Sequence, residues 1–165
     1  MKLKKHIVGL LTGGILMSVP LYPATIKTPL DLGKWLQREF TYQSELVEYW
    51  KTPEETVRDK GGDCEDLSIL TSYILNDLGY ENQIIWVQGH MIITGGKTTK
   101  VKWFSHAICI FKDEEGFFQM FSNEWYYIHQ EKSVEDLLTW QYPHWKFYRV
   151  CTPQKECSDK ILRED

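Results

Sequence analysis

Hydrophobic positions recur at three- and four-residue steps in the first half of the chain, and the clearest run predicts a central helix. Its buried face carries Cys64, Leu67, Thr71, Ile74, Leu75 and Leu78. Asp63 is a good N-cap for this helix, and Asp66 stands where a capping acid belongs. Gly79 supplies a left-handed stop at the other end. Cys64 is therefore expected in the first turn of a helix that packs on the core.

Three more helix starts are marked by a Ser or Thr followed three residues later by an acid, the capping-box pattern. They fall at residues 28–31, 52–55 and 133–136, and the first two have Pro at the first helical position. We therefore expect helices from each of these points.

After Gly79 the pattern changes to runs rich in branched and aromatic residues, which predict strands at 83–94, 100–112 and 117–122. The short turns between them imply an antiparallel meander. Residues 142–151 are a candidate for a last strand. Helices followed by an antiparallel sheet predict the α+β class.

The two ends of the chain differ from its middle. Residues 1–24 have a basic start, a 15-residue mostly apolar run and a small residue at Ala24, the order of a secretory signal peptide or an N-terminal anchor. The apolar run is short for a membrane span. We expect one domain over 25–151, a polar tail over 152–165, and an exported protein, with a cytoplasmic location as the alternative. No stable membrane span is expected unless the N-terminal segment is uncleaved.

The composition excludes several classes of function. The net charge of −4 and the lack of a basic stripe argue against a nucleic-acid partner. Four cysteines are too few for a disulfide scaffold, although Cys151 and Cys157 could bridge in an exported protein or stay free. The chain has no CxxC pair and no recognisable calcium loop, so no metal and no organic cofactor are expected.

Cys64 is the candidate nucleophile. It lies in the stretch GGDCEDLS, at a helix start whose dipole and free N–H groups favour a thiolate. The acids beside it oppose that effect, so a histidine is needed as activator. His106, in the strand sequence SHAICIF, is the candidate, and a buried histidine bonded to a carbonyl is the alternative. The next strand ends in Ser122 and Asn123, either of which could orient the imidazole.

Together these motifs resemble the transglutaminase-like cysteine hydrolase superfamily, which has a papain-like fold, and in particular its small bacterial and phage-type members. The resemblance covers about residues 50–123. It implies that Cys64 is the nucleophile and His106 the general base. The third position in this superfamily is usually Asp, whereas this chain has Asn123, or alternatively Ser122. An amide can orient the ring but adds no negative charge, so a weaker pair is expected.

The expected function is a thiol-dependent acyl-transfer enzyme, a cysteine protease or amidase acting on a protein or peptide through a thioester. Hydrolysis is favoured over transamidation because most small relatives are thought to hydrolyse. The alternative is a weak or inactive domain that binds a peptide in an aromatic groove. Asp63 and Asp66 are expected to cap the helix, Trp50 to line the groove or pack in the core, and Cys109 to be inert.

Overall fold

The structure, a computed structural model, describes residues 20–45, 47–95 and 98–163. Helices among them are α1 (Pro29–Glu39), α2 (Pro53–Asp59), α3 (Cys64–Asp77) and α4 (Val134–Gln141). Strands are β1 (Thr41–Tyr42), β2 (Gly61–Gly62), β3 (Asn82–Gly95), β4 (Thr98–Lys112), β5 (Phe118–Ser122), β6 (Trp125–Tyr127), β7 (Trp145–Cys151) and β8 (Ile161–Leu162). Most of the predicted signal or anchor, residues 1–19, lies outside the described residues.

No helix in these described ranges is both long enough and apolar enough to span a membrane.

Six strands form an antiparallel sheet in the order β6-β5-β4-β3-β7-β8. At its centre is the long β3–β4 hairpin, in which Trp86 lies opposite Ala107 and Val87 opposite His106. The run at 142–151 contains the candidate last strand, β7, which pairs with the other edge of β3. The predicted α+β class is confirmed.

The two faces of this sheet are covered by different helices. On the face named here the α3 face, Leu67 and Leu70 of α3 pack in one cluster with Cys109 and Phe121. On the opposite face, the α4 face, Leu137 of α4 packs among apolar residues of β3, β4 and β7. Since side chains alternate along a strand, Trp86 and Ala107 point to the α3 face, and Val87 and His106 to the α4 face.

The start of α3 is held by a capping box and by two glycines. The Asp63 side chain accepts from the Asp66 N–H, and the Asp66 carboxylate accepts from the Asp63 N–H, as the sequence predicted. Gly61 and Gly62 pair as a parallel bridge with β1. A Cβ at Gly62 would collide with the Asp66 side chain, and one at Gly61 with the Thr41 carbonyl. The glycines therefore allow the close approach that fixes the helix start.

The polar tail predicted over 152–165 is joined to the sheet where the structure describes it. Cys151 and Cys157 form a disulfide, six residues apart. Beyond it β8 pairs with β7, opposite Phe147 and Tyr148. Described residues 152–163 are therefore tied to the sheet edge by one covalent bond and by backbone pairing.

Candidate active site

Cys64 is the first residue of α3, and only 9% of it is exposed. Its Sγ donates to Glu65 Oε2 at 2.9 Å. The backbone N–H of Ala107 on β4 also lies against the sulfur. Packing of α3 on the sheet therefore brings the Cys64 sulfur to the residue that directly follows His106.

The thiol of Cys64 is neutral in this arrangement. Burial is the largest cause of a raised thiol pKa, and the hydrogen bond to Glu65 adds to it. The Ala107 N–H acts in the opposite sense and is outweighed. The helix start was expected to favour the thiolate of Cys64. In the structure, desolvation and the Glu65 carboxylate outweigh that effect and favour the neutral thiol.

His106 lies on the α4 face of β4, and its Nε2 is 2.8 Å from Ser122 Oγ. Burial lowers the pKa of the imidazole to about 4, so the ring is neutral at pH 7. The Tyr142 ring, at the end of α4, lies with its centroid 6.1 Å from the His106 centroid. In the tautomer in which Nε2–H donates to Ser122 Oγ, Nδ1 is the ring nitrogen left to take a proton.

Asn123, the residue predicted to orient the imidazole, makes no hydrogen bond to His106 in the described part of the chain. Its backbone turns out of β5 with φ 52°, and its Oδ1 is buried without a partner there. Ser122 is still on the strand and alternates onto the same face as His106. The hydrogen-bonding partner of His106 is therefore Ser122, and a catalytic part for Asn123 stays a prediction.

The acids at the start of α3 form a group that is buried at Asp66 and partly buried at Asp63 and Glu45. Asp66 is fully buried and accepts from the Lys51 N–H at 2.7 Å, besides capping α3. Burial raises the pKa of Asp66, and burial together with Glu65 raises the pKa of Asp63 to about 7. Glu45, Asp63 and Asp66 have oxygens within 4.8 Å of one another, the donor type that Ca²⁺ prefers.

Lys51 supplies the positive charge for this group of carboxylates. Its Nζ is 2.8 Å from Glu45 and 3.6 Å from Asp66. An ammonium in that place does not fit a bound cation, so Glu45 and Asp66 are ion-pair partners of Lys51 rather than ligands of a metal.

Trp50 packs against the core, one of its two expected uses, and a part in lining a groove stays a prediction. Its ring stacks on Trp86 at a centroid distance of 5.6 Å and packs against the cluster of Ile69, Ile84 and Cys151. Its Nε1 donates to Glu48 Oε1, and the side chain is half-buried. It therefore packs against the core, with part of the side chain at the surface. Cys109 is fully buried on the α3 face, which agrees with an inert thiol.

Sequence reasoning did not identify three groups that touch the site. Glu65 is one of the acids beside Cys64 in GGDCEDLS, and its place next to the cysteine was a usable signal for this hydrogen bond. The Ala107 N–H and the Tyr142 ring come from tertiary packing. Burial raises the pKa of the Tyr142 phenol, and the nearby Ser122 hydroxyl opposes that rise. No local pattern could have placed this ring against His106.

A family described as the transglutaminase-like domain matches residues 17–137 of this chain, including Cys64, His106 and Ser122. The chain belongs to this family. The match confirms the resemblance seen in the GGDCEDLS and SHAICIF motifs.

Among solved structures, LapG of Legionella pneumophila is similar to this transglutaminase-like chain. One LapG structure is 22% identical, covers 56% of this chain and 51% of its own, and has a TM-score of 0.39. A calcium-bound LapG structure is 20% identical, covers 74% of this chain and 66% of its own, and has a TM-score of 0.46. The chain thus spans about half to two thirds of their length. A comparison with curated proteins found no match.

Proposed function

We propose that this chain is a thiol-dependent hydrolase that cleaves an amide or peptide bond of a protein or peptide through a thioester on Cys64. The observation that carries the proposal is the place of Cys64 in the first turn of α3, packed on the sheet so that the N–H of Ala107, the residue after His106, acts to lower the thiol pKa. A second support is the His106 Nε2–Ser122 Oγ hydrogen bond, which leaves Nδ1 available as the base.

In the proposed reaction His106 Nδ1 takes the thiol proton as Cys64 Sγ attacks the carbonyl carbon. The N–H groups at the start of α3, including that of Cys64, bind the oxygen as it becomes negative. The imidazolium returns the proton to the leaving amine, and the C–N bond breaks to give a thioester. Water, deprotonated by His106, then adds to the thioester, which releases the acid and restores the thiol.

Cys64 and His106 are both neutral before substrate binds, and this determines when the proton moves. Because the pKa of Cys64 is raised and that of His106 is lowered to about 4, no thiolate–imidazolium pair is formed beforehand. The proton must therefore move during the attack, and the thiol must first leave Glu65. We propose that a bound substrate, by turning Sγ away from Glu65, starts this step.

Hydrolysis is proposed over transamidation, since small members of the superfamily are thought mainly to hydrolyse. We also propose that the protein works outside the cytoplasm. The Cys151–Cys157 disulfide supports an oxidising compartment, as does the signal-like N-terminus.

A complex peptide library tests the proposal. Wild-type protein should release new amino termini, or convert side-chain amides to acids, and mass spectrometry of the products would detect either change. Cys64→Ser and His106→Ala should abolish the products, whereas Cys109→Ala, which removes the other free thiol of the described chain, should keep them. Equal product from wild type and Cys64→Ser would reject the proposal.

A peptide-binding domain with little or no activity is the second candidate. It is favoured by the thiol bonded to Glu65 and by the low pKa of His106, both of which disfavour a reactive ion pair. The library assay separates the two functions, because a binding domain would retain peptides without changing them.

A further inference from the structure

The α3 face of the sheet carries a cleft that the proposed chemistry does not use. It has a volume of about 320 Å³, within the usual range for ligand pockets. Its lining residues are Trp86, Gln88, Phe147, Arg149, Cys157 and Lys160. β3 and β7 form its floor, and the disulfide-bonded tail forms one side.

Both charged residues of this cleft are cations without a counter-charge. In the described ranges neither Arg149 nor Lys160 makes a salt bridge, and Lys155 at the neighbouring Trp50 makes none either. The Nζ of Lys160 lies 4.1 Å from the Phe147 ring centroid, and that of Lys155 lies 5.2 Å from the Trp50 centroid. Although the chain has a net charge of −4 and its tail also carries Glu156 and Asp159, the charged residues that line the cleft are both cations, which favours an anionic ligand.

The β3–β4 pairing links the cleft to the candidate active site. Its wall residue Trp86 lies opposite Ala107 in the β3–β4 register, and the Ala107 N–H contacts the Cys64 sulfur. Trp50 stacks on Trp86 and directly precedes Lys51, whose N–H donates to Asp66 in the first turn of α3. A polypeptide with its scissile bond at Cys64 would therefore have neighbouring side chains within reach of the cleft.

We propose that this cleft is a specificity subsite that binds an acidic side chain, Asp or Glu, of the polypeptide substrate. The carboxylate pairs with Arg149 and Lys160, while its methylene groups pack between Trp86 and Phe147. This inference rests on the proposed function, because only that function makes the bound polypeptide a substrate. Binding itself does not require a reactive Cys64.

Fluorescence anisotropy with two tetramethylrhodamine-labelled peptides tests the subsite. The probes are Ala-Glu-Ala-Glu-Ala-Glu and its neutral counterpart Ala-Gln-Ala-Gln-Ala-Gln, each titrated with the full chain carrying Cys64→Ser. At about 50 mM salt, where screening is weak, the Glu peptide should bind about tenfold more tightly than the Gln peptide. Arg149→Gln and Lys160→Gln should each weaken the Glu peptide about three- to tenfold and leave the Gln peptide unchanged.

Lys102→Gln is the matched control. Lys102 is an exposed lysine on β4, on the α4 face of the sheet, so its loss removes the same charge without touching the cleft. Equal affinity for the two peptides, or an equal loss with Lys102→Gln, would overturn the subsite. The peptide library tests the proposed function separately: selective binding without cleavage would retain the subsite and reject the hydrolase.

Discussion

Replacing Glu65 by Gln should make Cys64 more reactive, which is the opposite of what loss of a catalytic acid would do. Glu65 is 7% exposed, and its carboxylate accepts from Cys64 Sγ at 2.9 Å. Gln keeps the length of the side chain but removes the negative charge. The pKa of the Cys64 thiol should therefore fall, because the charge that stabilises the protonated form is gone.

The size of this effect follows from the hydrogen bond. A bond to a charged group contributes about 1.5–3 kcal/mol, and one pKa unit corresponds to about 1.36 kcal/mol. The pKa should thus fall by about one to two units, which raises the thiolate fraction about 10- to 100-fold at a fixed pH. Thiolate nucleophilicity falls with pKa with a slope of about 0.4–0.5, so the net gain in alkylation rate is about three- to tenfold.

Limited labelling with iodoacetamide near pH 8 measures the rate, with the Cys64-containing peptide followed by mass spectrometry. Cys109, fully buried in the same chain, reports any unfolding during labelling. Glu54→Gln is the control, since Glu54 is an exposed acid in the first turn of α2. An unchanged or slower Cys64 rate in Glu65→Gln would refute the reasoning that Glu65 holds the thiol protonated.

Three further outcomes are expected. Asp66→Asn should lower the free energy of unfolding by about 2–4 kcal/mol in urea denaturation. The reason is that the buried carboxylate both caps α3 and accepts from the Lys51 N–H. A loss below about 1 kcal/mol would contradict this. The His106 pKa of about 4, against 6.5 for a free histidine, should give stability that is lost as pH falls from about 6.5 to 4, by up to about 1.4 kcal/mol per pH unit. The raised Asp63 pKa of about 7 changes the stability in the opposite direction over this pH range. The measured quantity is therefore the difference in free energy of unfolding between wild type and His106→Gln, and a difference that does not change with pH would refute the prediction. Ser122→Ala should shift the ring ¹⁵N resonances of His106 in NMR spectra while Asn123→Ala does not, and the reverse result would restore Asn123 as the orienting residue.

The helices and the meander were predictable from local signals. The capping acids and Gly79 mark the limits of α3, and Gly79 has the predicted positive φ of 88°. Branched and aromatic runs identify β3, β4 and β5 to within a few residues. The β8 pairing was not predictable, because Ile161 and Leu162 are two apolar residues in a polar stretch and are held by the disulfide rather than by a pattern.

The site was predictable in its residue types and less so in its contacts. Period-two alternation does place Ser122 on the same face as His106, but the left-handed turn that takes Asn123 off the strand has no unambiguous sequence signal. The state of the Cys64 thiol depends on burial by the sheet, which no local property of GGDCEDLS contains. The effects of the helix dipole and of the nearby acids on the thiol pKa could be predicted from the sequence, whereas the effect of desolvation could not.

Trapping the covalent intermediate tests the central claim most directly. Wild-type protein would be mixed with the peptide library, quenched in acid within seconds, digested, and searched for an added acyl mass on the peptide that contains Cys64. The account predicts a hydroxylamine-labile adduct on Cys64 that is absent from Cys64→Ser and strongly reduced in His106→Ala. Peptide products formed with no adduct on Cys64, and formed equally by Cys64→Ser, would contradict it.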